Sequence, residues 1–199
     1  MNEQNLFGYI DHAGKFVIEP KFDSAWDFKE GLARFEENEK WGFIDKAGRV
    51  VIGPQYEDVS DFYEGLAMIP IASGRRGYID RTGKIVIAPR IKYCFEFSEG
   101  LAFAWNGKKY GFIDRNGRLV IPYVYDEVKS FSQGLAAVRR HGVFGYINEH
   151  GQNVIPFMYA EASKFSGGLA AVSIFGKNPR NDYIDTRGKV VWTDRKRTN

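Results

Sequence analysis

Gly42-Phe43-Ile44-Asp45-Lys46-Ala47-Gly48 decides the fold, because its pattern recurs along the whole chain. The form Gly-aromatic-Ile-Asp-x-x-Gly starts at Gly8, Gly42, Gly77 and Gly111. A fifth copy starts at Gly145 with Asn148 in the Asp place, and a sixth begins with Asp182 instead of Gly. Successive starts lie 34, 35, 34, 34 and 37 residues apart. A second string, Gly-Leu-Ala, opens at Gly31, Gly65, Gly100, Gly134 and Gly168, always 23 residues after the first string's start. Self-similarity at such a period marks a repeat architecture, with one supersecondary element per copy.

Each string has a local physical reading. An Asp three residues before a Gly suits a type I turn, where the carboxylate accepts local N–H bonds and Gly takes positive φ. A turn of this kind connects hairpin strands. Three apolar residues follow it, as in Phe16-Val17-Ile18, Val50-Val51-Ile52, Ile85-Val86-Ile87 and Leu119-Val120-Ile121. Three in a row, instead of alternation, predict a strand covered on both faces. Pro20, Pro54, Pro89, Pro122 and Pro156 come next and predict the end of that strand, since Pro cannot donate to a ladder. Two aromatic anchors then sit in a turn-like connection. The first is Phe22, Tyr56, Tyr125 or Tyr159, with Ile91 in the third copy; the second is always Phe, at Phe28, Phe62, Phe97, Phe131 and Phe165. They are expected to plug the gap between successive sheets. Gly-Leu-Ala opens another strand, in which Ala33, Ala67, Ala102, Ala136 and Ala170 alternate with Phe35, Ile69, Ala104, Val138 and Val172. The expected copy is a three-stranded meander with the aromatic-Ile-Asp strand in the middle. No segment combines helical periodicity with caps.

Composition bounds the function. The chain has 199 residues, 22 Gly, 31 aromatic residues (4 Trp, 11 Tyr and 16 Phe) and a net charge of +3. That charge is too small to indicate nucleic acid by itself. No apolar run approaches the roughly 20 residues of a membrane helix, so membrane insertion is not expected. Met1-Asn2-Glu3-Gln4-Asn5 is not the opening of a secretory signal, and the expected location is the cytoplasm. One cysteine, Cys94, excludes an intramolecular disulfide and a Cys-based zinc site; it reads as a buried filler.

Sites of chemistry are sparse. Asp11, Asp45, Asp80, Asp114 and Asp185 recur once per copy and read as turn caps, not as a converging metal or acid–base set. Asp23, Asp58, Asp126, Glu127 and Glu161 follow the prolines and read as turn or surface residues. His12, His141 and His150 fall in turns without metal-ligand spacing. Ser130, Ser132 and Ser166 show no nucleophile-elbow pattern, and no glycine-rich phosphate loop is present. No cofactor, metal site or catalytic residue is expected. Arg75-Arg76, Lys108-Lys109 and Arg139-Arg140 occupy the same inter-strand turn of successive copies. A basic stripe along one edge would follow, but the acidic Glu36-Glu37-Asn38-Glu39 in the first such turn interrupts it and disfavours nucleic acid. Trp26 and Trp105 vary between copies; Trp26 reads as core. Trp105, with Arg75, Arg76, Lys108, Lys109, Arg139 and Arg140, is the candidate surface for a ligand or partner.

The pattern resembles the bacterial WG repeat family. Its carriers are Trp41-Gly42-Phe43-Ile44-Asp45-Lys46-Ala47-Gly48, the apolar strand ends before Pro, and Phe-x-x-Gly-Leu-Ala. The namesake Trp stands only at Trp41; Phe7, Arg76, Tyr110 and Phe144 hold the same place elsewhere. The resemblance implies a module that mediates interactions, with no catalytic residues to transfer. The expected fold is all-β: tandem meanders of about 34 residues, five and a half copies over residues 1–194, stacked as an open solenoid-like array. A closed propeller-like ring of small blades is the alternative. Residues 195–199 form a basic tail. The function expected is a non-enzymatic scaffold for protein–protein interaction, with a carbohydrate-binding, lectin-like module as the alternative.

Overall fold

A computed structural model describes residues 6–71, 73–176 and 180–194, with Pro89 described by its backbone. The basic tail expected at 195–199 lies outside the described residues. The chain forms two compact units, Met1–Ile91 and Lys92–Asn199. All regular structure among the described residues is β, and every strand pair is antiparallel.

Each unit is built from the expected meander. In the first unit an inner strand, Leu32–Glu37, pairs with a central strand, Lys40–Asp45, which pairs with an outer strand, Val50–Tyr56. Leu66–Pro70, Arg76–Asp80 and Ile85–Ile91 repeat the pattern. An incomplete copy, Phe7–Ile10 with Phe16–Phe22, precedes both. In the second unit the inner strands are Leu101–Trp105, Ala136–Arg140 and Leu169–Ile174. Their central strands are Tyr110–Asp114, Val143–Ile147 and Arg180–Asp185.

The Asp-x-x-Gly turn forms as expected. Asp45 Oδ1 accepts the N–H groups of Ala47 and Arg49 at 2.9 and 3.0 Å, and Gly48 takes φ 75°. The backbone N–H of Arg49 holds the Asp45 carboxyl below its ordinary range against desolvation, and the Arg49 guanidinium and the backbone N–H of Ala47 add to it. Asn148 Oδ1 accepts from His150 and Gln152 in the same way, at 3.1 and 2.9 Å. Asp114→Asn is therefore expected to change stability by less than about 0.5 kcal/mol, the range of surface substitutions, in urea unfolding.

Gly-Leu-Ala begins a two-residue hairpin. Lys29 and Leu32 exchange backbone bonds of 2.8 and 3.0 Å, while Glu30 and Gly31 take φ 49° and 81°. Positive φ at both central residues defines a type I′ turn, whose twist suits the flanking strands. The residue before Gly also links neighbouring copies. The Glu30 carboxylate accepts the N–H groups of Glu64 and Gly65 at 2.7 and 2.9 Å. Glu99 does the same for Gln133 and Gly134 at 2.6 and 2.8 Å, and Gln133 accepts from Gly168 at 2.9 Å.

Packing between copies uses the expected plugs. Phe62, Phe97, Phe131 and Phe165 are buried, with Phe28 half-buried. Phe62 joins Leu32, Phe43 and Ile52 of one copy to Ala67, Ile69 and Ile79 of the next. A second contact was hidden in the turn glycines. Ile18 side-chain carbons would lie 3.2 Å from a Cβ on Gly48, and Ile52 repeats this under Gly83 at 3.2 Å.

Three expectations are corrected. The prolines do not end the outer strand: Phe16–Phe22, Val50–Tyr56, Ile85–Ile91, Leu119–Tyr125 and Asn153–Ala162 all run through them. The ladder bulges there instead, as where Trp41 pairs Tyr56 but Phe43 pairs Ile52, so the missing N–H falls at an irregularity. The outer strand is also not covered on both faces. Ile18, Ile52, Ile87, Ile121 and Ile155 are buried, whereas Val17, Val50, Val51, Ile85, Val86, Leu119 and Val120 are exposed. Finally, the connection is not wholly turn-like. Ser24–Ala25, Tyr93–Cys94 and Glu127–Val128 add a short fourth strand beside the inner strand.

Candidate binding surface

A variable side-chain pair sits on a constant backbone. The N–H of Trp26 donates to the carbonyl of Arg34 at 3.1 Å. The same bond, eight residues apart, joins Ser60 to Met68, Phe95 to Phe103, Lys129 to Ala137 and Ser163 to Ala171, at 2.8–3.2 Å. The donor position therefore carries Trp, Ser, Phe, Lys and Ser in turn, and the acceptor position Arg, Met, Phe, Ala and Ala. None of the five donor side chains is buried. The fold fixes the frame at this place and leaves its chemistry free.

The first pair is the most elaborate. Trp26 is 54% exposed, not core as expected. The short strand Ser24–Ala25 ends before it and turns its ring outward over Arg34, whose guanidinium lies 4.6 Å from one Trp26 ring centroid and 5.6 Å from that of Trp41. Arg34 is fixed by the carbonyl of Val59 at 2.9 Å and the Asp61 carboxylate at 2.8 Å. A guanidinium held against an indole face makes a rigid amphipathic platform. In the third pair Phe95 stacks on Phe103 with centroids 4.3 Å apart.

The candidate residues read from the sequence are distributed differently. Trp105 is half-buried between Tyr93 and Tyr110, with centroids at 5.1 and 6.2 Å, and Lys92 Nζ lies 6.0 Å from its ring. Arg75 is exposed in the turn before the central strand, and Arg76 begins that strand opposite Ile91. Lys108 and Lys109 donate their N–H groups to Asn106 Oδ1, and the Lys109 ammonium pairs with Asp126. That hydrogen bond, ahead of desolvation, sets the direction for Asp126, whose carboxyl lies below its usual range. Arg139 lies 3.6 Å from Glu127, and Arg140 is exposed. The acidic residues after the prolines thus face two of the basic turn residues, which the sequence order did not reveal. His12, His141 and His150 are exposed and Cys94 is buried, as expected.

These features define a class: a tandem β-repeat protein with a constant frame and a varied surface. Five segments, residues 7–41, 41–69, 77–110, 110–143 and 144–177, match the family described as WG containing repeat. The chain belongs to that family. No curated protein sequence matches it. Among solved structures it is similar to one described as the eukaryotic initiation factor, with 12% identity and a TM-score of 0.60. That likeness covers 95% of this chain and 60% of the other. It is also similar to Hsv2 of Kluyveromyces lactis, with 11% identity, a TM-score of 0.52, and coverage of 83% and 60%. The chain thus spans 60% of the length of each. At these identities the likeness concerns the β fold alone. Among the described residues no helix is long and apolar enough to cross a membrane.

Proposed function

We propose that the chain is a non-catalytic cytoplasmic scaffold that binds another protein. The supporting observation is the pair at Trp26/Arg34 and its four counterparts, where one backbone bond recurs and the side chains change. Variation at a fixed place on a repeat frame is how such arrays diversify a binding surface. Aromatic and Arg side chains there supply large, rigid contact area. The exposed outer-strand pairs, such as Val50-Val51 and Leu119-Val120, leave further apolar area uncovered in each unit.

The test is capture of a partner by the whole chain from host lysate, beside a Trp26→Ala, Phe95→Ala double variant. The wild-type chain is expected to retain a defined protein. The variant, with an unchanged melting temperature, is expected to retain about tenfold less, the loss of one hot-spot contact. Equal retention by the variant would sink this assignment. A glycan-binding module is the second reading, favoured by the exposed indoles of Trp26 and Trp192, 54% and 53% accessible. Retention on a glycan array without a protein partner would establish it instead.

A further inference from the structure

The sequence holds two Asn-Gly pairs, Asn106-Gly107 and Asn116-Gly117, and both stand in turns of the second unit. In both, the Asn is exposed and the Gly half-buried. The reacting atoms are the same in each: attack of the glycine nitrogen on Cγ of the preceding Asn closes a succinimide ring, and glycine puts no side chain in the way. Only the surroundings differ.

The Asp114 turn protects the second pair. There the Gly117 N–H donates to the Asp114 carbonyl at 2.9 Å, which ties up the attacking nitrogen. Asn116 Nδ2 lies 3.5 Å from Asp114 Oδ2, and Asn116 Oδ1 accepts no hydrogen bond among the described residues. The N–H groups of Asn116 and Arg118, both at 2.9 Å, fix the Asp114 carboxylate beside the pair. A fixed negative charge opposes the anionic intermediate of the attack.

At Asn106 each of these features is reversed. The Gly107 N–H makes no hydrogen bond among the described residues. Asn106 Oδ1 accepts the backbone N–H groups of Lys108 and Lys109 at 2.9 and 3.0 Å. The first of these bonds closes an Asx turn, whose ring contains both Cγ and the Gly107 nitrogen and folds the side-chain amide back toward that nitrogen. Both N–H groups polarise the carbonyl and are already placed to hold its oxygen as an oxyanion. Lys92 adds a positive charge: its Nζ lies 3.2 Å from where a Cβ on Gly107 would stand. An ammonium there favours the anion formed at the nitrogen and at Oδ1.

We propose that Asn106 is a self-modifying site, at which the fold promotes succinimide formation. The Gly107 nitrogen gives its proton to solvent, bonds to Cγ and turns Oδ1 into the oxyanion. Collapse restores the carbonyl and breaks the Cγ–Nδ2 bond, and the side-chain nitrogen takes a proton from solvent and leaves as ammonia. Water then adds to either ring carbonyl and reopens the ring, to aspartate or isoaspartate. The net change consumes one water and releases one ammonia. The aspartate product can accept the same N–H bonds, so the turn is kept while a negative charge enters beside Lys92, Lys108 and Lys109. The assignment does not depend on the partner reading above.

The test incubates the whole folded chain at neutral pH beside synthetic peptides spanning residues 102–110 and 112–120. Peptide mapping by mass spectrometry reads isoaspartate at each Asn, a product that requires the ring. The peptides are expected to react within about twofold of each other, because the dipeptide is the same. In the folded chain Asn116 is expected to be about tenfold or more slower than in its peptide, and Asn106 to match or exceed its own. Lys92→Gln is expected to slow Asn106 about threefold and to leave Asn116 unchanged. Equal slowing of the two asparagines on folding, or an Asn106 rate unmoved by Lys92→Gln, overturns the proposal. The wild-type comparison needs no variant and decides the matter if Lys92→Gln does not fold.

Discussion

Phe131→Ala is expected to lower the free energy of unfolding by roughly 3–5 kcal/mol. Phe131 is 2% exposed and lies in a core that joins two copies of the second unit. On one side it meets Leu101, Phe112, Ile121 and Tyr125; on the other, Ala136, Val138 and Ile147. Its ring approaches Phe112 edge-on, with centroids 4.9 Å apart. Truncation to Ala would leave a void that no neighbouring backbone can fill. The Phe131 carbonyl accepts the hydroxyl of Ser98 at 2.8 Å, and the bulged ladder of the outer strand is fixed by its own bonds. Little relaxation is available, which places the cost in the upper part of the range for buried Phe. Urea unfolding of the whole chain measures it. A loss below about 1 kcal/mol would show that the ring is not core.

Gly42→Ala is expected to be similarly damaging for the opposite reason, at about 3 kcal/mol or more. The added Cβ would sit 2.6 Å from the Ile52 carbonyl oxygen and 2.8 Å from the Pro54 nitrogen. Both are backbone atoms of the bulge, so neither can swing aside. Gly53 is the internal control: nothing lies within 4 Å of its added Cβ and its φ is not positive. Gly53→Ala is expected to be neutral or slightly stabilising, because Ala restricts the unfolded chain. Equal midpoints for the two variants in chemical denaturation would remove the close-approach argument.

Much of the architecture was legible because it rests on local chemistry repeated at a fixed period. Asp45 and Gly48 announce their turn, and Asn148 shows that an amide suffices. Phe62 and Phe131 stand out as plugs because they are invariant among the five copies. What was not legible depends on cross-strand register. Gly42 opens the recurring string, but nothing in the string itself reveals that it is a strand residue beneath a bulge. Val50-Val51-Ile52 read as doubly covered, yet only the third side chain turns inward. The site was less legible still. Trp26 and Arg34 are neighbours only through a bond that skips eight residues. Asp182 was visible as an exception to the leading Gly, but the burial of its side chain depends on a ladder that loses one irregularity. Lys109 and Arg139 looked like a free basic edge because Asp126 and Glu127 lie well away from Lys109 in the chain.

The links between copies also determine where the chain can grow. The turn glycine over Ile, the Glu30-type cap and the Phe plug all fall within the stretch from one string to the next Gly-Leu-Ala, which is 23 residues long in every copy. All length variation falls in the remainder, from Gly-Leu-Ala to the next start: 11, 12, 11, 11 and 14 residues from Gly31, Gly65, Gly100, Gly134 and Gly168. That remainder contains the hairpin between inner and central strands, as tight as Asn38-Glu39 in one copy and spanning Ile174 to Arg180 in another. A hairpin tip that makes no stacking contact can be lengthened at only the slow logarithmic cost of loop closure. Each copy therefore offers one insertion point where grafted sequence leaves the pitch of its neighbours undisturbed.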